Sequence, residues 1–126
     1  MPDPDEWYKK SNANEFIITF FDDEGNEIRI RQRYLTEEIA NSRKKQVKIF
    51  SVGLELEGET DPIVRHCNYN TESLEIFHTH EIGIEEKVFK KLARLKTPGA
   101  QLRWAYKDIY DNFEEYINRF KTQRRR

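Results

Sequence analysis

Residues 15–34, EFIITFFDDEGNEIRIRQRY, contain two strand-forming runs separated by a polar turn signal. The first run, residues 15–21, is rich in β-branched and aromatic residues and ends at the segment DDEGN. In the second run, residues 27–34, Ile28 and Ile30 alternate with arginines. A period of two puts the isoleucines on one face of a strand and the arginines on the other. The stretch therefore predicts an antiparallel hairpin.

Further strands are predicted after this hairpin. Residues 46–56 form a long strand whose apolar positions share one face: Phe50, Val52, Leu54 and Leu56. Residues 63–69 and 74–81 form a second hairpin around the segment NTES at residues 70–73. The first two thirds of the chain are therefore expected to form an antiparallel sheet.

Helical periodicity begins only after Gly83. A first helix is predicted from a stripe that the segment TPG at residues 97–99 interrupts: Ile84, Val88, Phe89 and Leu92. A last helix carries apolar side chains at alternating spacings of four and three: Leu102, Tyr106, Ile109, Phe113, Tyr116 and Phe120. The sequence thus predicts an α+β fold, in which two C-terminal helices pack on an antiparallel sheet of about five strands.

Length and composition indicate a single domain. The chain has 126 residues, and its 22 basic and 23 acidic residues give no charge argument for nucleic acid or membrane. We expect a flexible arm at residues 1–14, one α+β domain at residues 15–121 and a basic tail at residues 122–126. The sequence contains neither a transmembrane stretch nor a signal-peptide core, and its one cysteine cannot form an internal disulfide. A cytoplasmic protein that does not bind membranes is expected.

All three histidines lie close together in the sequence: His66, His78 and His80. Arg65 and the only cysteine, Cys67, lie in the same region. Alternation along the strands puts Arg65 and Cys67 on one face, and His78 and His80 on one face of the next strand. If the apolar sets of both strands face the core, Arg65 lies beside His78 and His80. His66 then points the other way.

One interpretation of this cluster is structural, and a second is catalysis by proton transfer. In the first, the histidines are edge residues that hydrogen-bond to the backbone and to Glu75 or Glu81. In the second, the chain is a metal-independent ribonuclease, which needs a base for the ribose 2′-hydroxyl, an acid for the leaving oxygen and a cation on the phosphate. His78, His80 and Arg65 supply those groups, with Tyr69 as a further proton donor.

Two other interpretations involve Cys67. A zinc site is one of them, because the His-x-His spacing places two ligands on one face, with Cys67 or Glu81 as the third. A hydrolase with Cys67 as its nucleophile is the other, although no nucleophile elbow or oxyanion turn accompanies it.

Arg29, Arg31 and Arg33 form a stripe on one face of the predicted second strand. Such a stripe can bind a phosphate backbone, which makes these residues candidates for nucleic-acid binding. The other interpretation is a solvated strand face whose arginines pair with neighbouring glutamates, Glu15 and Glu55 among them.

The segment IVRHCN at residues 63–68, followed by the histidine pair, resembles the signature of the TumE-type toxin family. Members of that family carry an Arg-Tyr-Asp-Asn strand, a gap, a closely spaced histidine pair and a C-terminal helix. The resemblance implies a small cytoplasmic toxin that a partner antitoxin neutralises, with nucleic acid as its target.

Four residues match the family signature: Arg65, Asn68, His78 and His80. His66 stands where the family has tyrosine, and Cys67 where it has aspartate. The loss of that carboxylate removes a group that could orient a histidine.

The sequence therefore predicts a toxin-like protein of a toxin–antitoxin system that acts on RNA by histidine acid/base catalysis, without a tightly bound cofactor or metal. We assign His78 and His80 as the acid/base pair, Arg65 as the phosphate clamp, and Asn68 and Tyr69 as supporting groups. An antitoxin protein is the expected partner, and the stripe on the last helix is compatible with a homodimer. The alternative is a non-catalytic module that binds protein or nucleic acid and carries a structural histidine cluster.

Overall fold

The computed structural model describes residues 13–68, 77–88 and 97–124. Its elements are six strands and a helix: β1 (Ala13–Phe21), β2 (Glu27–Glu38), β3 (Lys45–Leu56), β4 (Val64–Cys67), β5 (His78–Glu81), β6 (Ile84–Val88) and α1 (Pro98–Arg124). The strands form one antiparallel sheet in the order β1-β2-β3-β4-β5-β6. The predicted α+β class is confirmed.

The turn between β1 and β2 is stabilised by the side chain of Asp22. Its carboxylate accepts hydrogen bonds from the backbone N–H groups of Glu24 at 2.9 Å and Asn26 at 2.8 Å. Gly25 takes a φ of 83°, a conformation that glycine adopts without strain. These contacts fix the register of the hairpin, in which Ile18 lies opposite Ile30.

Helix α1 packs on one face of the sheet. The predicted apolar faces of β2 and β3 meet there, and the register places Ile30 opposite Leu54. The buried residues that α1 contributes are Leu102, Ala105, Ile109, Ile117 and Phe120. Burial of a large apolar side chain contributes about 1.5–3 kcal/mol relative to exposure, so this interface is the main source of stability for the helix.

The Thr-Pro-Gly segment begins α1. The hydroxyl of Thr97 accepts a hydrogen bond from the backbone N–H of Ala100 at 3.1 Å, and Pro98 occupies the first helical position. Farther along, Asn112 departs from helical geometry, with φ −123° and ψ 16°. Its side-chain amide donates to the backbone carbonyl of Asp108 at 2.9 Å.

The prediction of a helix starting near Ile84 is wrong for the described residues, because Ile84–Val88 form strand β6. Gly83, with a φ of 80°, closes a tight turn that pairs Ile84 with Glu81. Residues four positions apart share a face on a strand as well as on a helix, so the spacing of Ile84 and Val88 fits both. Among the described residues the sheet has six strands instead of about five, and α1 stands alone instead of being one of two helices.

Several predicted features lie outside the described residues. They include residues 1–12 of the predicted arm, Tyr69 and the predicted turn at residues 70–73, residues 74–76 of the strand predicted after it, residues 89–96 around the end of the predicted first helix, and residues 125–126. In the part of the chain that the structure describes, no helix combines the length and the apolar character needed to cross a membrane.

Candidate functional site

The register of β4 and β5 determines which side chains meet. Arg65 lies opposite His80, and Cys67 lies opposite His78. Directly opposed residues in an antiparallel pair point to the same face, so these four side chains share a face. The sequence-based expectation placed this set towards the core, but α1 packs on the other face, where His66 contacts the ring of Trp104.

The shared face runs from a buried interior to a partly exposed edge. His78 is 0% exposed and Cys67 is 3% exposed, whereas Arg65 and His80 are partly exposed. Cys67 Sγ lies 3.2 Å from His78 Nε2. The rings of His78 and His80 stand perpendicular to each other, with centroids 4.7 Å apart. We refer to Cys67, His78 and His80 as the Cys67 cluster.

Asn68, predicted as a supporting group of the site, is fully buried and bonds to the backbone of β3. Its Oδ1 accepts from the N–H of Phe50 at 2.8 Å, and its Nδ2 donates to the carbonyl of Lys48 at 2.9 Å. The side chain thereby continues the pairing of β3 with the chain after the end of β4. These two bonds give Asn68 a role in holding that strand end in place.

The arginine stripe lies on the same face as the Cys67 cluster. The strand registers align two transverse rows, Arg33–Ser51–Cys67–His78 and Arg31–Gly53–Arg65–His80. Adjacent strands are about 4.8 Å apart, so Arg31 and Arg65 originate roughly 10 Å from each other. The sheet therefore brings the arginine stripe onto the same face as Arg65, His78 and His80, whereas Asn68 does not belong to that set.

The arginines of the stripe are paired with carboxylates. Arg31 Nε lies 2.7 Å from Glu55 and its Nη1 lies 2.8 Å from Glu15, while Arg33 Nε lies 3.1 Å from Glu15. Arg29 Nε lies 3.7 Å from Glu55. The hydrogen bond with Glu55 raises the pKa of Arg31 above its ordinary value against an opposing effect of burial. A phosphate would have to compete with these glutamates.

The side chain of Pro62 covers the middle of the second row. A β-carbon placed on Gly53 would lie 3.3 Å from Pro62 Cβ, which is tighter than ordinary contact. Gly53 thus lets Pro62 approach the sheet between Arg31 and Arg65.

A second polar network lies on the α1 face, and the sequence-based reasoning did not predict it. His66 is 1% exposed, with Nδ1 2.6 Å from Thr79 Oγ1 and Nε2 2.7 Å from Asp108 Oδ2. The hydroxyl of Tyr116 donates to the same Asp108 oxygen at 2.5 Å. Asn112 Nδ2 donates to Asp108 Oδ1 at 3.1 Å. We refer to these five residues as the His66 network.

Asp108 is the carboxylate that joins the members of the His66 network. Burial alone would raise the pKa of Asp108, but hydrogen bonds with His66 and Tyr116 outweigh it and lower the pKa. Burial and the contact with Asp108 raise the pKa of Tyr116. The network lies between sheet and helix, with His66 and Thr79 buried and its three α1 members partly exposed, so we interpret it as a structural link from β4 and β5 to α1. Polar residues four positions apart on an otherwise apolar helix face, Asp108 and Asn112, were the sequence signal for it.

The Cys67 cluster has the residue types and spacing of a metal site. Among the described residues, one ligand atom from each of its three members lies within 4.8 Å of the others. Glu81, the other predicted third ligand, points to the α1 side and binds Arg119 at 2.8 Å and 3.2 Å. Of the two predicted third ligands, only Cys67 lies with the histidine pair.

No family model, curated protein or solved structure matches this chain. The resemblance to the TumE-type toxin family therefore depends only on the residues quoted from the sequence.

Proposed function

We propose that the chain is a toxin-like protein that acts on RNA at the partly exposed edge formed by Arg65 and His80. The observation that supports this most is their direct opposition on neighbouring strands, on the face that also carries Arg31 and Arg33. A permanent cation beside an imidazole at the surface provides the two groups that an RNA phosphodiester needs first.

In this proposal His80 is the base that takes the proton of the ribose 2′-hydroxyl. Arg65 donates charge-assisted hydrogen bonds to the phosphate oxygens, and solvent supplies a proton to the leaving oxygen. His78 was predicted as the second member of the acid/base pair, but its complete burial favours a positioning role. Its ring stands edge-on against His80 and limits the orientations of that side chain.

The arginine stripe has a secondary role in the proposal. A phosphate that binds Arg31 or Arg33 must displace Glu15 or Glu55, so each contact contributes little net affinity. Its contribution would appear as a dependence of RNA affinity on salt concentration.

The test is cleavage of a mixed RNA pool by the purified protein in excess EDTA. Arg65→Ala and His80→Ala should each lower the rate by about 100-fold, the usual contribution of a positioned base or oxyanion-binding cation. Arg103→Ala, which removes an exposed arginine of α1, is the matched control and should retain the wild-type rate. An inactive wild-type protein, or an unaffected His80→Ala protein, would contradict the proposal.

An exposed apolar edge favours a second candidate function, that of a non-catalytic protein-binding module. Strand β1 lies at the end of the sheet, and its exposed side chains include Phe16 at 56%, Ile17 at 43%, Ile18 at 37% and Phe21 at 67%. Open strand edges accept an additional strand from a partner chain. An extended antitoxin segment is a partner of this kind, and so is a second copy of β1.

Light scattering after size-exclusion chromatography tests the self-association form of that candidate. If β1 pairs with itself, Ile18→Lys should shift the mass from dimer to monomer, whereas Tyr110→Lys on the exposed side of α1 should not. If the wild-type protein is a monomer, β1 does not pair with a second copy of itself. A partner of different sequence is then the candidate for binding this edge.

A further inference from the structure

We propose that the Cys67 cluster binds one zinc ion. Its donors are a thiol sulfur and two imidazole nitrogens, which are ligand types that zinc prefers. Magnesium and calcium prefer oxygen ligands instead. The inference departs from the sequence-based expectation of a protein without metal, and it is independent of the proposed action on RNA.

The geometry is close to that of a bound ion. A tetrahedral zinc site with bonds of about 2.0–2.3 Å separates its ligand atoms by roughly 3.3–3.8 Å. Cys67 Sγ and His78 Nε2 are already 3.2 Å apart, and all three ligand atoms lie within 4.8 Å of one another. A shift of about 1 Å in the partly exposed His80 ring completes a set of three ligands around one centre.

The backbone supports these three side chains on a rigid frame. Cys67 and His78 are directly opposed on paired strands, and His80 follows His78 on the same face. Their convergence therefore depends on sheet pairing, which fixes side-chain directions better than a loop does. Because Cys67 and His78 are buried, the ion would enter from the side of His80.

The charged residues near the cluster affect which species would occupy the fourth coordination position of a bound zinc ion. Arg65, opposite His80, is the nearest cation by register, and Glu81 is held by Arg119 on the other face. A guanidinium beside the ion favours an anion, such as hydroxide or inorganic phosphate, at the position that the three protein ligands leave open. On binding, the Cys67 thiol becomes a thiolate and releases one proton to the solvent.

A zinc ion on His80 would occupy the lone pair that RNA cleavage needs. We therefore expect zinc to inhibit the cleavage described above, a consequence that depends on the proposed function. Zinc binding itself does not depend on it.

The experiment uses the full chain after removal of metal with EDTA and dialysis, with Co²⁺ as the spectroscopic probe. One equivalent of cobalt should produce thiolate-to-cobalt charge-transfer absorption and the d–d bands of tetrahedral cobalt, and Zn²⁺ should abolish both. Cys67→Ser should remove the charge-transfer absorption. His80→Ala, at the partly exposed edge, should weaken cobalt binding at least tenfold, as loss of a ligand does.

Glu81→Gln is the matched control, since it changes the carboxylate that the structure excludes from the site, and it should leave cobalt affinity unchanged. A folded wild-type protein without the cobalt bands would overturn the zinc site, as would an unchanged affinity in His80→Ala. Cobalt binding by a protein that cleaves no RNA would support the metal site and contradict the proposed function. RNA cleavage by a protein that does not bind cobalt would support the proposed function and contradict the metal site.

Discussion

The two faces of the sheet at β4 and β5 both carry histidines, but in different surroundings. His66 and Cys67 are adjacent in sequence, and the alternation of the strand sends them to opposite faces. On the α1 side, His66 is buried and both of its ring nitrogens have hydrogen-bond partners. On the other side, the Cys67 cluster continues to a partly exposed histidine. His66 and His80 therefore differ in burial and in surroundings because they lie on opposite faces of the sheet.

The largest expected effect comes from removing the carboxylate of the His66 network. Asp108→Ala removes the acceptor that the buried His66 Nε2 and the half-buried Tyr116 hydroxyl share, which should lower the free energy of unfolding by about 3 kcal/mol. Urea denaturation followed by circular dichroism measures it. Asp111→Ala is the control, because its exposed pair with Lys107 is screened by solvent and should contribute little to stability. Equal losses in the two variants would contradict the structural role of the network.

Tyr116→Phe should have a smaller effect in the same network. It removes one hydrogen bond to the Asp108 carboxylate and leaves the ring in place, which should cost about 1–2 kcal/mol. The same urea titration measures it, and the double variant with Asp108→Ala should lose less than the sum of the single losses. Additive losses would show that the two side chains do not interact.

The network also predicts a dependence of stability on pH. The folded-state pKa of Asp108 is lowered from 3.8, so its stabilising effect is present above that value and is lost as the pH falls through the folded-state pKa. The difference in unfolding midpoint between wild type and Asp108→Asn should therefore shrink between about pH 5 and pH 3. In Tyr116→Phe, which lacks one of the bonds that lower this pKa, the loss should be smaller and should be complete at a higher pH. A difference that stays constant down to pH 3 would argue against an ionised Asp108 in the folded protein.

The smallest effect on stability is expected on the other face. His80→Ala truncates a partly exposed side chain and should change the free energy of unfolding of the metal-free protein by less than about 1 kcal/mol. The same variant should lose cobalt binding and RNA cleavage. A loss of stability as large as that of Asp108→Ala would make His80 a structural residue and remove the contrast between the faces.

Alternation along single strands predicted the sheet well. The positions of Ile28 and Ile30 against the arginines, and of Arg65 beside His80, follow from a period of two and from pairing between neighbours in sequence. The identity of β6 did not follow, because the spacing of Ile84 and Val88 fits a strand and a helix equally well.

The side of the sheet that faces the helix could not be derived from the strands alone. The set with Arg65 and Cys67 seemed the less charged one, yet α1 packs on the side of Val64 and His66. The bond between His66 and Asp108 depends on how α1 is placed along the sheet, and local periodicity does not define that placement. Prediction from sequence was therefore accurate for the pairing of β1 with β2 and of β4 with β5, and it failed for β6 and for contacts between layers.

The order of the elements along the chain has a consequence for synthesis on the ribosome. The bond between His66 and Asp108 joins residues 42 positions apart, and α1 follows all six strands. At translation rates of about 5–20 residues per second, Asp108 is added roughly 2–8 s after His66. Hairpins between neighbouring strands form in microseconds, so the nascent sheet can assemble well before its helix exists. During that interval its apolar face has no helix to cover it, and chaperones and other nascent chains compete with α1 for this surface.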